Sequence, residues 1–522
     1  MLAYCFFVAS IKENEMKKKI LTLIALVLVV ATLLVGCQPA YSVSNPNNAS
    51  DIVTSNGGSV VKHGDYVYFI NGVTSYEKHS GTNVYGNVLK GGVMRYKLQN
   101  GAIVDGSLEL VVPKQVLDSS KTPGIFVYGS KLYYVTPSER VDKEAYIQEN
   151  YLEFCEVNLD GTGNRVIKEL DSNSISYVFG KTAFMYLKDK VLYSVNYATG
   201  VETEVDTDVV SAIFPTNYTY DPSKTGISSD DCVYYTKSNA DEVVYSYNEV
   251  YLATVDGAYK AQIAGKDSFT TTPDYTKMYT YTLLKYEGGK LYYTKSYTAS
   301  SAQAMGTFVL DMTTYPYDET KAITWISTNE TMLSIETYSQ VKAISGGRYI
   351  YVADSKTKLR NADGSVEVLF DKAITVVGEV NNTIYYDNGS AKLYKYVLTG
   401  TDGPAEKLNI KETTVTTWLA YEFIDGTIYY VNGFNSQNYL HKYDTAAGED
   451  MLIGKRTDLD IASDVSILID ALPKVDALVE DDEEAIVEAQ NAYDALTPAQ
   501  KALVSNYSTL EELQEALAEL KD

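Results

Sequence analysis

The sequence predicts a mainly β chain, a β-propeller of eight blades (seven being the nearest alternative) followed by a small α-helical bundle. Three observations lead there. Tyrosine is in large excess, 47 copies against 13 Phe and 2 Trp, and it favours strands because it packs an apolar ring while keeping a polar tip. A strand with paired aromatics recurs eight times between residues 58 and 455. Beyond Thr457 the apolar period changes from that of strands to that of helices.

The chain opens with Lys17-Lys18-Lys19, an apolar run from Ile20 to Val35, and Leu34-Val35-Gly36-Cys37. A basic stretch, an apolar core and a small residue before a cleavage point make a secretory signal. The run is shorter than the roughly 20 residues a spanning helix needs. Its ending resembles the lipobox of bacterial lipoproteins, and that resemblance implies cleavage after residue 36 and a diacylglycerol-modified Cys37 as the mature N-terminus. Residues 1–15 precede a better start at Met16 and read as a misplaced initiation. Residues 37–57 are rich in Ser, Asn and Pro and read as a flexible tether.

The repeats occupy residues 58–455. Their paired-aromatic strands are Val67-Tyr68-Phe69, Leu132-Tyr133-Tyr134, Phe184-Met185-Tyr186, Val233-Tyr234-Tyr235, Leu291-Tyr292-Tyr293, Tyr349-Ile350-Tyr351, Ile384-Tyr385-Tyr386 and Ile428-Tyr429-Tyr430. Downstream of most stands a turn ending in Gly, such as Asn100-Gly101, Asp160-Gly161, Asp256-Gly257 or Asp363-Gly364, expected to be a primed hairpin turn. The fifth repeat has Asp311-Met312-Thr313 instead. The shortest repeat shows the unit: strands at 349–351, 358–360, 366–370 and 375–377. Four short strands per repeat make a propeller blade. A sandwich strand would alternate apolar with polar, whereas Leu132-Tyr133-Tyr134-Val135 is apolar or aromatic on both faces. Blades stacked on both sides explain that. These repeats resemble the Tyr-rich propeller-like domains of unknown function of secreted bacterial proteins, and more distantly the propellers that accompany prolyl oligopeptidases. The resemblance implies a fold and no activity.

With blade strands named A to D from the axis outward, the A–B and C–D turns read as tight. The B–C connections (71–92, 136–149, 237–249, 294–306) and D–A connections (206–228, 265–277, 327–340) read as long. B–C and D–A connections emerge on one face, so ligand contacts are expected there: Tyr76, Glu139, Arg140, Tyr218, Tyr220, Asp274 and Tyr275.

Residues 464–522 read as a short helix followed by three more. Thr497-Pro498-Ala499-Gln500 supplies a cap and a first-turn proline, and Ser508-Thr509-Leu510-Glu511 has the form of a capping box. The run Ala492–Leu496 with Gln500–Tyr507 resembles a small helical repeat of Gram-positive surface proteins.

Little in the chain points to catalysis. His63, His79 and His441 never pair at metal-ligand spacing, and no Gly-x-Ser-x-Gly elbow, phosphate loop or dinucleotide fingerprint occurs. No cofactor and no metal site are expected. Cys155 and Cys232 read as separate buried thiols. The net charge of −24 becomes −26 once residues 1–36, with four Lys and two Glu, are removed. Such a surface repels nucleic acid and anionic headgroups. The expectation is a non-enzymatic binding or scaffold lipoprotein on the outer face of the bacterial cytoplasmic membrane, facing the cell wall, with an envelope protein, peptide or glycan as partner. The alternative is a carbohydrate-active, glycosidase- or lyase-like propeller enzyme.

Overall fold

The computed structural model describes residues 48–72, 89–116, 124–138, 152–170, 175–238, 248–265, 279–297, 303–313, 330–334, 340–388, 392–398, 405–408, 410, 421–431 and 439–521. All fall within one compact unit. Among them the strands form eight antiparallel sheets, each with a four-strand meander. The A strands are Val60–His63, Phe126–Tyr128, Ser176–Phe179, Val209–Ile213, Tyr279–Glu287, Val341–Ile344, Thr375–Val380 and Tyr421–Ile424. The B strands are Tyr66–Ile70, Lys131–Pro137, Ala183–Lys188, Cys232–Ser238, Lys290–Tyr297, Arg348–Ala353, Thr383–Asp387 and Thr427–Val431. These B strands carry all eight aromatic motifs, so the repeat and its count of eight are as the sequence predicts.

The paired aromatics do what their pattern requires. In blade 2, Tyr134 packs with blade 1 residues such as Tyr68 and Val93, while its neighbour Tyr133 packs with Phe179 and Phe184 of blade 3. Tyr234 faces blade 5 and Tyr235 faces blade 3. Tyr292 and Tyr293 divide between blades 6 and 4, and Tyr385 and Tyr386 between blades 8 and 6. Because successive side chains of a strand point to opposite faces, two adjacent aromatics fill both inter-blade gaps. In blades 3 and 6 the aromatics stand two apart, with Met185 and Ile350 between them, and every consecutive pair of blades still shares an apolar cluster.

The ring closes by the same packing between blades 8 and 1. Val60, Val67, Phe69 and Tyr96 meet Ile424, Tyr429, Val431 and Leu440. Among the described residues each of the two blades takes all four meander strands from one end of the chain, and no strand crosses the seam as a clasp. Polar contacts secure it: the Tyr96 and Tyr429 hydroxyls lie 3.0 Å apart, and Asn71 exchanges two hydrogen bonds with the Lys455 backbone at 2.8 and 2.9 Å.

The turns differ from expectation in one respect. At Asn100-Gly101 both residues have positive φ, as a primed turn needs. At Asp160, Asp256 and Asp363 only the following glycine does. Each of these aspartates accepts a hydrogen bond from the backbone N–H two residues on, and that local bond favours a longer loop with a single left-handed glycine.

Four helices follow the ring: α1 (Asp458–Asp470), α2 (Glu483–Asp494), α3 (Pro498–Lys501) and α4 (Tyr507–Lys521). The first is longer than expected and starts before residue 464, because Thr457 caps it and Ala462, Val465 and Ile469 bury its inner face. Thr497 and Gln500 form the capping box expected for α3. Ser508 caps nothing, since it lies inside the first turn of α4. No helix among the described residues is long and apolar enough to cross a membrane. Cys155 and Cys232 are not bridged to each other and are both buried, in separate apolar clusters.

Glu422, on the A strand of blade 8, provides a test of the seam. It is 7% exposed and accepts from Ser55 Oγ at 2.8 Å and from the Ser59 backbone N–H at 3.0 Å. Glu422→Ala strands both donors and should cost about 2 kcal/mol in urea denaturation. The exposed Lys62–Asp425 pair spans the same seam, and Asp425→Ala should change stability by about 0.5 kcal/mol or less.

Candidate axial site

Two further strands lie inside the first blade. Val53–Asn56 pairs antiparallel with the A strand of blade 1, and Tyr218–Tyr220 pairs with Val53–Asn56 in turn. The A strand is the innermost of a blade, so these additions project toward the ring axis. Their contacts agree. The Asn56 side chain accepts from Val127 N–H of blade 2 at 2.7 Å, and Ser55 donates to Glu422 of blade 8. Tyr218 shares a short hydroxyl–hydroxyl bond with Tyr128, which donates to the Phe179 carbonyl of blade 3 at 2.7 Å.

The segment that carries Tyr218 corrects an expectation. Residues 206–228 were to be a D–A connection. The structure places strand A of blade 4 at Val209–Ile213, so D of blade 3 and A of blade 4 are joined by Thr207-Asp208 alone. The long insertion, 214–231, joins A to B and therefore emerges on the face of tight turns. The misreading arose because Val209–Ile213 lacks the aromatic signature that marks the B strands.

The insertion ends in a single 3-10 turn, Ser229–Asp231, capped by Ser228 Oγ, which accepts from the Asp230 N–H. It builds one wall of a cavity of about 510 Å³. The opposite wall is the A–B turn of blade 5, Glu287-Gly288-Gly289, with Met312 and Thr313. Lys181, from the A–B turn of blade 3, reaches in from the side, with its Nζ 3.5 Å from Asp231 and 5.2 Å above the Tyr220 ring.

The electrostatics of this cavity set it apart from the acidic outer surface. Burial pushes the Asp230 carboxyl above its ordinary range, against the opposing pull of hydrogen bonds from Tyr286 and Ser228. Burial does the same to Asp231, offset in part by Lys181. Glu287 differs: burial pushes it up, but Lys342 and Lys285 outweigh that and hold it low. Both ammonium groups touch it, at 2.6 and 2.8 Å. Lys285, Glu287 and Lys342 also line an adjoining cavity of about 250 Å³ between the inner strands of blades 5, 6 and 7. Carboxyls raised by burial beside another held low are what acid–base or selective polar recognition uses.

Of the residues expected to contact a ligand, Tyr220 lines the cavity and is half-buried. Tyr218 lines the cavity as well, but is 5% exposed and has its hydroxyl held by Tyr128. Tyr76, Glu139, Arg140, Asp274, Tyr275 and Cys37 lie outside the described residues, as does His79. Lys181, Asp230, Asp231 and Glu287 escaped notice in the sequence. A signal existed: Ser228-Ser229-Asp230-Asp231 stands before a B strand where other repeats have a turn of two or three residues. His441 sits in strand C of blade 8, stacked on Tyr430 and 3.4 Å from Asp450.

No protein-family model matches this chain, and no curated protein matches it significantly. Solved structures resemble it weakly. Dipeptidyl peptidase 4 of Porphyromonas gingivalis is 11% identical over 78% of this chain and 60% of its own, with a TM-score of 0.37. Tricorn protease is 9% identical over 89% of this chain and 42% of its own, at 0.35. BamB of Moraxella catarrhalis is 9% identical over 71% and 98%, at 0.34. The chain spans less than two thirds of the first two. Likenesses of this size say nothing of activity; the ring of eight four-stranded sheets itself defines the chain as a β-propeller.

The raised carboxyls yield a signed prediction. A group whose pKa rises on folding stabilises the fold while protonated and loses that contribution as pH climbs through the folded value. At neutral pH Asp230 is therefore a liability. Asp230→Asn, which keeps an acceptor for Tyr286, should raise the denaturation midpoint at pH 7, and the gain should shrink as pH falls below the raised pKa. A gain that is constant with pH would exclude burial of the charge as its cause.

Proposed function

We propose that this protein is a lipid-anchored binding or scaffold protein of the bacterial cell envelope that holds its ligand at the propeller axis and catalyses no reaction. The axial cavity carries the reading. It is made by an insertion that no other described blade has in its A–B connection, and it brings an aromatic face, two desolvated carboxyls and a lysine to one opening. A volume of about 510 Å³ suits a short peptide segment or one or two sugar rings, and Tyr, Asp and Lys recognise such polar ligands by stacking and directed hydrogen bonds. The location rests on the signal-like N-terminus and Leu34-Val35-Gly36-Cys37.

The second reading, a carbohydrate-active enzyme, draws on Asp230 and Asp231. A carboxyl whose pKa burial raises is the starting point for a general acid in glycoside cleavage. Lys181, within reach of Asp231, supplies the cation that would stabilise an ionised partner.

Two measurements test these readings. Cys37→Ala should leave an unprocessed chain that takes up no lipid label; equal labelling of variant and wild type would remove the anchor. Native mass spectrometry of protein purified from envelopes should show a bound small molecule or peptide that Tyr220→Ala loses by a factor of ten or so, the size of one stacking contact. Turnover of a neutral or acidic polysaccharide by wild type, abolished in Asp231→Asn, would instead establish the enzyme.

A further inference from the structure

The two ends of the propeller leave it on opposite faces. Val53 pairs with His63, the last residue of strand A in blade 1, next to the A–B turn. The Ile52 carbonyl accepts from Gly64 N–H in that turn. Since Val53–Asn56 runs antiparallel to strand A, the chain enters the ring from the face that carries the A–B and C–D turns. That is the face onto which the axial cavity opens: Val53 pairs with Tyr220, and Tyr220, Asp221 and the blade 5 turn line the opening.

The helical module sits on the other face. Strand D of blade 8, Glu449–Leu452, ends there, and α1 is held by residues of B–C connections. Asn71 binds the Lys455 backbone, Lys90 lies 3.6 Å from Asp460 and stacks over Tyr439, and the Tyr439 hydroxyl donates to Asp460. Thr457 N–H donates to that same hydroxyl at 3.1 Å.

We infer that the face bearing the axial cavity is turned toward the lipid bilayer, and that the helical module is presented away from it. This rests on the reading of Cys37 as the anchor. The linking residues, Gln38–Ser50, span about 45 Å at full extension. Turning the opposite face to the membrane would take the chain across a blade, about 20 Å for strands spaced some 4.8 Å apart, and down a side of about 25 Å. It would also place the helical module between ring and bilayer. Those two spans together would take the whole link at full extension, whereas the entry face meets the bilayer with the link slack, so the relaxed chain presents the cavity to the membrane side and the helices to the other.

Energy transfer to the bilayer tests this on the full lipidated chain in phosphatidylcholine vesicles with an acceptor-labelled headgroup. Ala198→Cys places a donor in the C–D turn of blade 3, and Ala485→Cys places one on α2; both positions are exposed. Wild type, whose Cys155 and Cys232 are buried, sets the labelling background. Transfer from position 198 should exceed that from 485 roughly twofold or more, because the sites differ in height by at least a blade's thickness. Equal or reversed transfer from a chain whose mass shows lipid on Cys37 would overturn the orientation alone. A mass without lipid on Cys37 would overturn the anchor and the orientation with it.

Discussion

The structure depends on one repeated arrangement, a pair of aromatic residues in the second strand of each blade, adjacent in six blades and two apart in blades 3 and 6. A strand sends neighbouring side chains to opposite faces, so Tyr133 and Tyr134, or Tyr234 and Tyr235, each commit one ring to the preceding gap and one to the following gap. A fully buried side chain of this size contributes about 2 kcal/mol from area alone, and edge-to-face and stacked neighbours such as Phe154 with Tyr177 and Phe184 add to it. No blade can bury both faces by itself. The ring is therefore closed by packing at the blade 8–blade 1 seam, and Glu422, Tyr96 and Asn71 give that seam its register.

Closure leaves an axis to be filled, and it is filled unevenly. On the side of blades 8, 1, 2 and 3, the strands Val53–Asn56 and Tyr218–Tyr220 take up the space. Toward blades 4 and 5 the same insertion turns back on itself at Ser229–Asp231, and a cavity remains. The cost of that design shows in Asp230 and Asp231, whose carboxyls are desolvated without full compensation. Groups kept in such a state, at the rim of a cavity built by an insertion, are the pattern of a site rather than of a core.

The axis also gives the molecule a direction. The entering strand and the cavity share one face, and the seam hands the chain to the helices on the other. Under the proposed anchoring at Cys37, that direction would separate a membrane-facing side from the side that carries the helices.

Much of this was legible in the sequence. The blade, its four strands and the count of eight followed from Tyr-rich pairs at strand spacing, because burial on two faces leaves no polar alternation to conceal. The helical bundle followed from apolar period and from Thr497-Pro498. What the sequence could not place was Val209–Ile213, an inner strand whose Val210 is exposed toward the axis and which carries no aromatic mark. From that one strand came the reassignment of residues 214–231, the burial of Tyr218 and the gathering of Lys181, Asp230 and Glu287 from three blades. Composition and periodicity record how strongly a segment is buried, so they determined the repeat. Which segments meet at the axis depends on the closure of the ring, and only the tertiary structure decided that.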